Sequence, residues 1–358
     1  MNILIAAGGT GGHINPGIAI ANMLREKNHN IKFIGTEKGL EKDLVPKAGF
    51  DIRYIHAEGI HRGFSFKNFS TFINLQKGIN ECKEIIKEEE ADLVIGTGGY
   101  VTAPLMIAGL KLNIPTFIHE SNALPGKTTN WLSRKVDCIA VGFEDAKLKL
   151  PHAKNVVFTG NPTKITGNLD KNKMKEKLGI KKKLVLVFGG SQGAKKINDT
   201  MIEIINENKE LDYQVIYATG PKNYDEVISK IKVDNSNFKI EKYIYNMQEV
   251  MAASDLVVSR SGALTVTEIG IIGVPSILIP FPLAAENHQF FNAKAIADNI
   301  AGVIIEEKDL TKDKLVNTIE ELITNEFKLN DMSENAKKMG DDKALIRIEK
   351  EIEKILKR

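Results

Sequence analysis

The sequence is poor in cysteine: its 358 residues hold two, Cys82 and Cys138, far apart and in no CxxC pair. That argues against a disulfide framework or a cysteine-based zinc site, and it fits a reducing cytoplasm. Long apolar runs are lacking too. The longest uncharged stretch, Ile269 to Ala285, is broken by Pro275, Pro280 and Pro282 and by Gly270 and Gly273, punctuation that a membrane-spanning helix does not easily tolerate. The opening MNILIAAGGTGGH has no basic n-region and turns to glycine too early for a secretion signal. Nor is there an excess of one charge. Forty-nine Lys and Arg against 46 Asp and Glu leave a formal charge of +3, with no clustered basic stripe to hold nucleic acid. The basic run Lys181-Lys182-Lys183 directly precedes a strand pattern and reads as a solvated turn.

What remains is an ordinary soluble composition, 42% hydrophobic and 27% charged, on a chain long enough for two domains. Short Ile- and Val-rich runs alternate with helical patterns. Asn2–Ala6, Ile31–Gly35, Asp92–Ile95, Thr116–His119 and Asp137–Val141 read as strands, and the pattern restarts after Asn161-Pro162-Thr163-Lys164. Leu184–Phe188, Gln214–Ala218, Leu256–Ser259, Ser276–Ile279 and Gly302–Ile305 form the second set. Near-continuous apolar content predicts strands buried on both faces, hence an α/β fold with parallel sheets covered by helices. The expected division is a first Rossmann-like domain over 1–162 and a second over 163–340. A C-terminal helix over 341–358 would pack back on the body through Leu345, Ile348, Ile352 and Ile355.

Glycine-rich loops follow strands in both halves: Gly8-Gly9-Thr10-Gly11-Gly12-His13, Gly96-Thr97-Gly98-Gly99-Tyr100 and Gly189-Gly190-Ser191-Gln192-Gly193. Glycine lets backbone approach a ligand closely, and the helix that follows presents N–H groups to an anion. Any one of these loops is equally well a structural turn. Three at strand ends point to phosphate ligands. A nicotinamide dehydrogenase is disfavoured, because a G-x-G-x-x-G reading from Gly9 puts Ile14 at the third glycine.

Arg260-Ser261-Gly262-Ala263-Leu264-Thr265-Val266-Thr267-Glu268 also follows a strand and opens a helix. A carboxylate there would repel phosphate, so its useful partner is a pair of ribose hydroxyls. A surface Glu that merely favours the helix dipole, worth under about 1 kcal/mol, fits the residues equally well. Pro280-Phe281-Pro282 leads to Glu286-Asn287-His288-Gln289, amides suited to sugar hydroxyls or, alternatively, a polar helix start.

In chain order, GGTGGHINPG, GTGGYVTAP, HESNALPGKTTNWL, GNPTK, GGSQGAKKIN, YIYNMQEVMAASDLVVSRSGALTVTEI and PFPLAAENHQFFNA closely resemble the MurG family, the bacterial peptidoglycan N-acetylglucosaminyltransferases. The resemblance covers the whole chain. It implies the GT-B fold, two Rossmann-like domains facing across a cleft. It also implies transfer of GlcNAc from UDP-GlcNAc to the MurNAc of undecaprenyl-linked lipid I, forming lipid II.

Carried over, the resemblance puts the donor on Ser191 (with its loop), Ile244, Ala263, Leu264, Thr265, Val266, Thr267, Glu268 and Gln289. Thr10, Gly11, Gly12 and Asn122 would approach the GlcNAc, and Gly98, Gly99 and Tyr100 would meet the acceptor diphosphate. The family usually has Arg after N-P-x. Lys164 stands there instead, keeping the charge without the planar fork.

The family inverts the anomeric centre, and His13 is the best base, with an orienting role as the alternative. UDP-GlcNAc is a substrate, and neither a cofactor nor a metal is required. The sequence shows no Asp-x-Asp pair.

A lipid acceptor implies peripheral attachment to the cytoplasmic face of the bacterial membrane. Phe64 and Phe66, flanked by Arg62 and Lys67, are the candidate anchors, whereas Phe69, Phe72 and Ile73 have core-like helical spacing. Cell-wall synthesis proteins are implied partners. A UDP-GlcNAc 2-epimerase, another lipid-acceptor transferase of the same superfamily, and a non-catalytic nucleotide-sugar module are the competing readings.

Overall fold

The structure is a computed structural model that describes residues 1–58, 67–163, 165, 167, 169–190 and 192–357, with the backbone alone for 67–72. The chain divides into two units, Met1–Lys164 with Lys343–Arg358, and Ile165–Asp342.

The first unit runs β1 (Asn2–Ala6), α1 (Gly11–Glu26), β2 (Asn30–Gly35), α2 (Glu41–Lys47), β3 (Asp51–Tyr54), α3 (Lys67–Glu88) and β4 (Leu93–Gly96). It continues through α4 (Thr102–Leu112), β5 (Thr116–Glu120), α5 (Lys127–Leu132), β6 (Cys138–Val141), α6 (Glu144–Leu148) and β7 (Val156–Phe158). Among the described residues, its strands form a seven-stranded sheet in the order β3-β2-β1-β4-β5-β6-β7, parallel throughout.

Alternation along each strand divides the apolar side chains between two cores. Ile3, Ile5, Phe33, Leu93 and Phe117 meet α1 through Ile14, Ile20 and Leu24. Leu4, Ala6, Ile34, Val94 and Ile118 meet the other face, which Ile79, Ile85, Leu105 and Met106 of α3 and α4 cover. Covering both faces is what makes the strands read as unbroken apolar runs.

The second unit runs α7 (Lys171–Leu178), β8 (Lys183–Phe188), α8 (Lys195–Asn206), β9 (Tyr213–Ala218), α9 (Tyr224–Lys230), β10 (Phe238–Glu241) and α10 (Met247–Ala253). It continues through β11 (Leu256–Ser259), α11 (Ala263–Ile272), β12 (Ser276–Leu278), α12 (His288–Asp298), β13 (Gly302–Ile304), α13 (Lys312–Ile323) and α14 (Glu326–Met339). Among the described residues, its six-stranded sheet has the order β10-β9-β8-β11-β12-β13, again parallel.

The last helix, α15 (Ala344–Leu356), belongs to the first unit. Its Ile348, Ile352 and Ile355 are buried in the same core as α1. Each such burial contributes roughly 1.5–3 kcal/mol, enough to hold the chain's end on that sheet. Arg347 adds a hydrogen bond of 3.3 Å to the Thr159 carbonyl, and Lys27 pairs with Glu349 at 3.1 Å.

Strands β3, β7 and β10 were not among the expected strands. All three lie at sheet edges, where one flank faces no further strand, and they are short and only part-buried or exposed. DIRY and FKIE each carry two charges, which an edge position tolerates.

Candidate active site

In both sheets the strand order reverses once, between β1 and β4 and between β8 and β11. Crossovers leave in opposite directions at such a point, opening a crevice at the carboxyl ends of the two strands where open α/β sheets take ligands. All three glycine loops, and the Arg260–Gly262 turn, follow these four strands.

In the first unit the loops after β1 and β4 interlock. Any Cβ on Gly99 would fall 2.1 Å from the Gly8 carbonyl oxygen, and one on Gly98 would fall 2.5 Å from His13 Cδ2. Residues 98 and 99 are therefore glycine because no side chain fits there. Thr10 is extended and starts α1, whose first turn carries no acidic residue. The Gly11 and Gly12 N–H groups thus lie at the positive end of a helix dipole, suited to an anion. His13 Nδ1 lies 3.2 Å from the Gly8 carbonyl, and the Thr97 hydroxyl donates to the His13 carbonyl at 2.8 Å, tying this turn to β4.

The Tyr100 hydroxyl is directed inward. It lies 3.2 Å from Thr36 Oγ1 and donates to Glu41 Oε1 at 3.4 Å. Burial and the Glu41 charge raise its pKa, so the phenol stays protonated. Tyr100 therefore has its ring and backbone to offer a ligand.

Asn122 lies on the loop after β5, beside β4 in the sheet. Its N–H and side-chain amide both donate to Glu120 Oε1 at 3.1 Å. Glu120 Oε2 accepts from the Gly126 N–H and the Thr129 hydroxyl, so one buried carboxylate shapes the whole loop.

In the second unit, Gly193 and Gly220 lie back to back. A Cβ on Gly220 would sit 2.6 Å from Gly193 Cα, and one on Gly193 would sit 2.2 Å from the Thr219 carbonyl. The buried pair Tyr217 and Asn198 braces this loop. The Tyr217 hydroxyl donates to Asn198 Oδ1 at 2.7 Å, and Asn198 Nδ2 donates to the Thr219 carbonyl at 3.1 Å.

Gly262 caps α11, which carries Ala263 to Glu268. Leu264, Thr265, Thr267 and Glu268 are half-buried, whereas Ala263 and Val266 are buried in packing. The Thr267 hydroxyl bonds back to the Ala263 carbonyl at 3.0 Å. Ile244, in the loop after β10, is buried.

Gln289 is clamped. Its carbonyl accepts from Ser261 Oγ at 2.7 Å, and its Oε1 accepts from the Phe281 N–H at 2.9 Å, which fixes the side-chain amide with Nε2 as the remaining donor group. Buried Arg260 holds the same corner. It donates to the Ile279 and Pro280 carbonyls at 3.1 Å, pairs with Glu307, and stacks 5.3 Å from the Phe281 ring centroid.

Ser191, Lys164, Phe64 and Phe66 lie outside the described residues. The residues that sequence reasoning missed are Glu41, Thr36, Glu120 and the side chain of Arg260. Three of the four are charged, and charge in a sequence signals surface until the fold shows it buried.

The match to known proteins extends along the chain. Residues 3–141 match the glycosyltransferase family 28 N-terminal domain, and residues 184–348 match the family 28 C-terminal domain. The UDP-N-acetylglucosamine–N-acetylmuramyl-(pentapeptide) pyrophosphoryl-undecaprenol N-acetylglucosamine transferase of Acetivibrio thermocellus is 44% identical over 364 residues, 100% of this chain and 99% of that one. The same enzyme of Bacillus licheniformis is 42% identical over 347 residues, 95% and 94% of the two chains. Among solved structures, Acinetobacter baumannii MurG superposes with a TM-score of 0.80 at 26% identity, over 99% of each chain. A putative UDP-N-acetylglucosamine 2-epimerase from Listeria monocytogenes shares the fold alone, with a TM-score of 0.66 at 16% identity over 97% and 94%. Two parallel α/β domains, each with its ligand crevice at the strand reversal, are the GT-B architecture, and the chain belongs to the MurG family of family 28 glycosyltransferases.

Proposed function

We propose that this chain transfers GlcNAc from UDP-GlcNAc to the C4 hydroxyl of MurNAc in undecaprenyl-pyrophosphoryl-MurNAc-pentapeptide, making lipid II for peptidoglycan. The observation that carries the reading is full-length 44% identity to a transferase of that name. The glycine loops at both strand reversals agree with it, one for each diphosphate-bearing substrate.

In this reading the acceptor hydroxyl attacks the anomeric carbon from the face opposite UDP. The new C–O bond forms as the bond to the diphosphate oxygen breaks, the hydroxyl proton passes to His13, and UDP departs with inversion. Helix-start N–H groups of the Gly189–Gly193 loop and of α11 stabilise the leaving diphosphate, so neither metal nor organic cofactor is needed. Glu268 takes the ribose hydroxyls, Gln289 Nε2 reads the sugar, and Gly98–Gly99 N–H groups receive the acceptor diphosphate. Ser191 and Lys164 belong to the donor side.

Among the described residues no helix is long and apolar enough to cross a membrane. Peripheral attachment to the cytoplasmic leaflet is supported by an apolar pocket of the first unit. Leu75, Ile79, Ile107, Leu110 and Trp131 line it, with Lys111 and Lys135 beside them, and Trp131 is 54% exposed. Aromatic and aliphatic side chains with neighbouring cations suit an anionic interface.

Incubation with UDP-GlcNAc and a lipid I analogue tests the reading. UDP release that requires the acceptor, with a disaccharide product, supports it. Conversion of UDP-GlcNAc to its 2-epimer without acceptor replaces it with the epimerase reading.

A further inference from the structure

Glu41 is the first residue of α2 and is fully buried. Space for its carboxylate is built into the chain. A Cβ on Gly39 would fall 2.0 Å from Oε2, one on Gly35 2.7 Å from Cγ, and one on Gly8 3.2 Å from Oε1. Glu41 Oε1 accepts from the Thr36 N–H and hydroxyl, both at 3.0 Å, and Oε2 accepts from the Gly9 N–H at 2.9 Å.

The last of these bonds reaches the reacting side of the loop. The peptide bond between Gly8 and Gly9 is trans, so its N–H and C=O point in opposite directions. The N–H is held by Glu41. On the other side the Gly8 carbonyl meets His13 Nδ1 at 3.2 Å. A carbonyl oxygen can only accept, so the neutral imidazole carries its proton on Nδ1 and its lone pair on Nε2. An anionic acceptor on the N–H also polarises the amide and strengthens its carbonyl as an acceptor, because linked hydrogen bonds reinforce one another.

We propose that Glu41 is a positioning residue that acts on His13 through the Gly8–Gly9 peptide, holding the ring in its Nδ1–H tautomer with Nε2 as the base. The relay performs the task that a carboxylate does directly in Ser-His-Asp enzymes, with one peptide unit interposed. It rests on the reading of His13 as the general base. Glu41 is fully buried, and its effect belongs to turnover.

The test uses the full-length protein with 15N-histidine, the His13 signals being assigned by their loss in His13→Ala. In the wild type the Nδ1 and Nε2 shifts are expected to report Nδ1–H. An Nε2–H ring would overturn the proposal whatever the variants do. Glu41→Gln is expected to lose that tautomer preference and to lower kcat about ten- to a hundredfold, part of the 10²–10⁴ that a general base contributes. UDP-GlcNAc affinity and acceptor KM should stay within about threefold. Thr36→Val removes one bond to Oε1 without touching the Gly9 arm, and should retain the wild-type tautomer even where it lowers Tm. In the His13→Ala background, Glu41→Gln should cause no further loss of kcat, as for residues that act as one unit. Near-wild-type turnover in His13→Ala would remove the base reading itself. A crippled His13→Ala with an additive Glu41→Gln effect would overturn the relay alone.

Discussion

The imidazole of His13 occupies the space beside Gly98 that any side chain there would need, with a Cβ on residue 98 falling 2.5 Å from the ring's Cδ2. The base candidate on the first loop and a glycine of the second are thus mutually required. At φ +112, residue 98 also has a backbone conformation that only glycine adopts readily.

Gly98→Ala is therefore expected to displace the His13 ring. Turnover should fall on the order of a hundredfold, within the range of a general base. The crowding should cost about 1–3 kcal/mol of stability. Acceptor-dependent UDP release and urea unfolding measure the two effects. Turnover within threefold of wild type would show that the ring is not held by this contact.

Glu268, the proposed ribose contact, lies half-buried in the second turn of α11. Glu268→Ala should weaken UDP-GlcNAc binding about tenfold, the equivalent of roughly 1.4 kcal/mol lost from hydrogen bonds to a charged acceptor. Calorimetry measures it directly, and unchanged donor affinity would leave Glu268 as a dipole-stabilising surface acid.

His119 is a buried histidine of β5 with both ring nitrogens engaged, Nε2 with the Gly160 carbonyl at 3.2 Å and Nδ1 with Ser121 Oγ at 3.3 Å. Burial brings its pKa down to about 4. Below the usual value near 6.5 the unfolded chain binds a proton here that the folded protein refuses, so stability present above pH 6.5 is lost as pH falls toward 4. The loss reaches on the order of 3 kcal/mol. His119→Gln cannot take up that proton, so its stability in urea should depend less steeply on pH across this window. Parallel curves for the two proteins would exclude His119 as the source.

Trp131→Ser should reduce binding to liposomes containing anionic lipid, because it removes the exposed ring of the apolar pocket. Replacing Phe64 and Phe66 together with Ser tests the other anchor by co-sedimentation. Binding unchanged in both variants would place the membrane contact elsewhere.

Much of the fold was legible because parallel strands covered on both faces leave short, β-branched apolar runs bounded by turn residues, as in Leu184–Phe188. The charged edge strands Asp51–Tyr54 and Phe238–Glu241 were not legible for the same reason reversed: an edge position tolerates Asp, Arg, Lys and Glu. Among site residues, glycines and His13 stood out by spacing in one short stretch. Glu41 did not, since Thr36 is its one near neighbour among these partners and Gly9 and Tyr100 come from two distant parts of the chain.

The sequence by itself determined the class of chemistry. Glycine loops after strands can be recognised because a tight turn and a close backbone approach constrain residue type locally, and the ordered motifs carried the family. Tertiary structure alone decided that the loops fall at the strand reversals of both sheets, that α15 joins the first unit, and that the Tyr100 hydroxyl turns inward. It also decided that Glu41, which no sequence motif singled out, lies buried against the Gly9 N–H of the His13 loop. Pairing order and burial depend on which distant segments meet, and no local pattern encodes that.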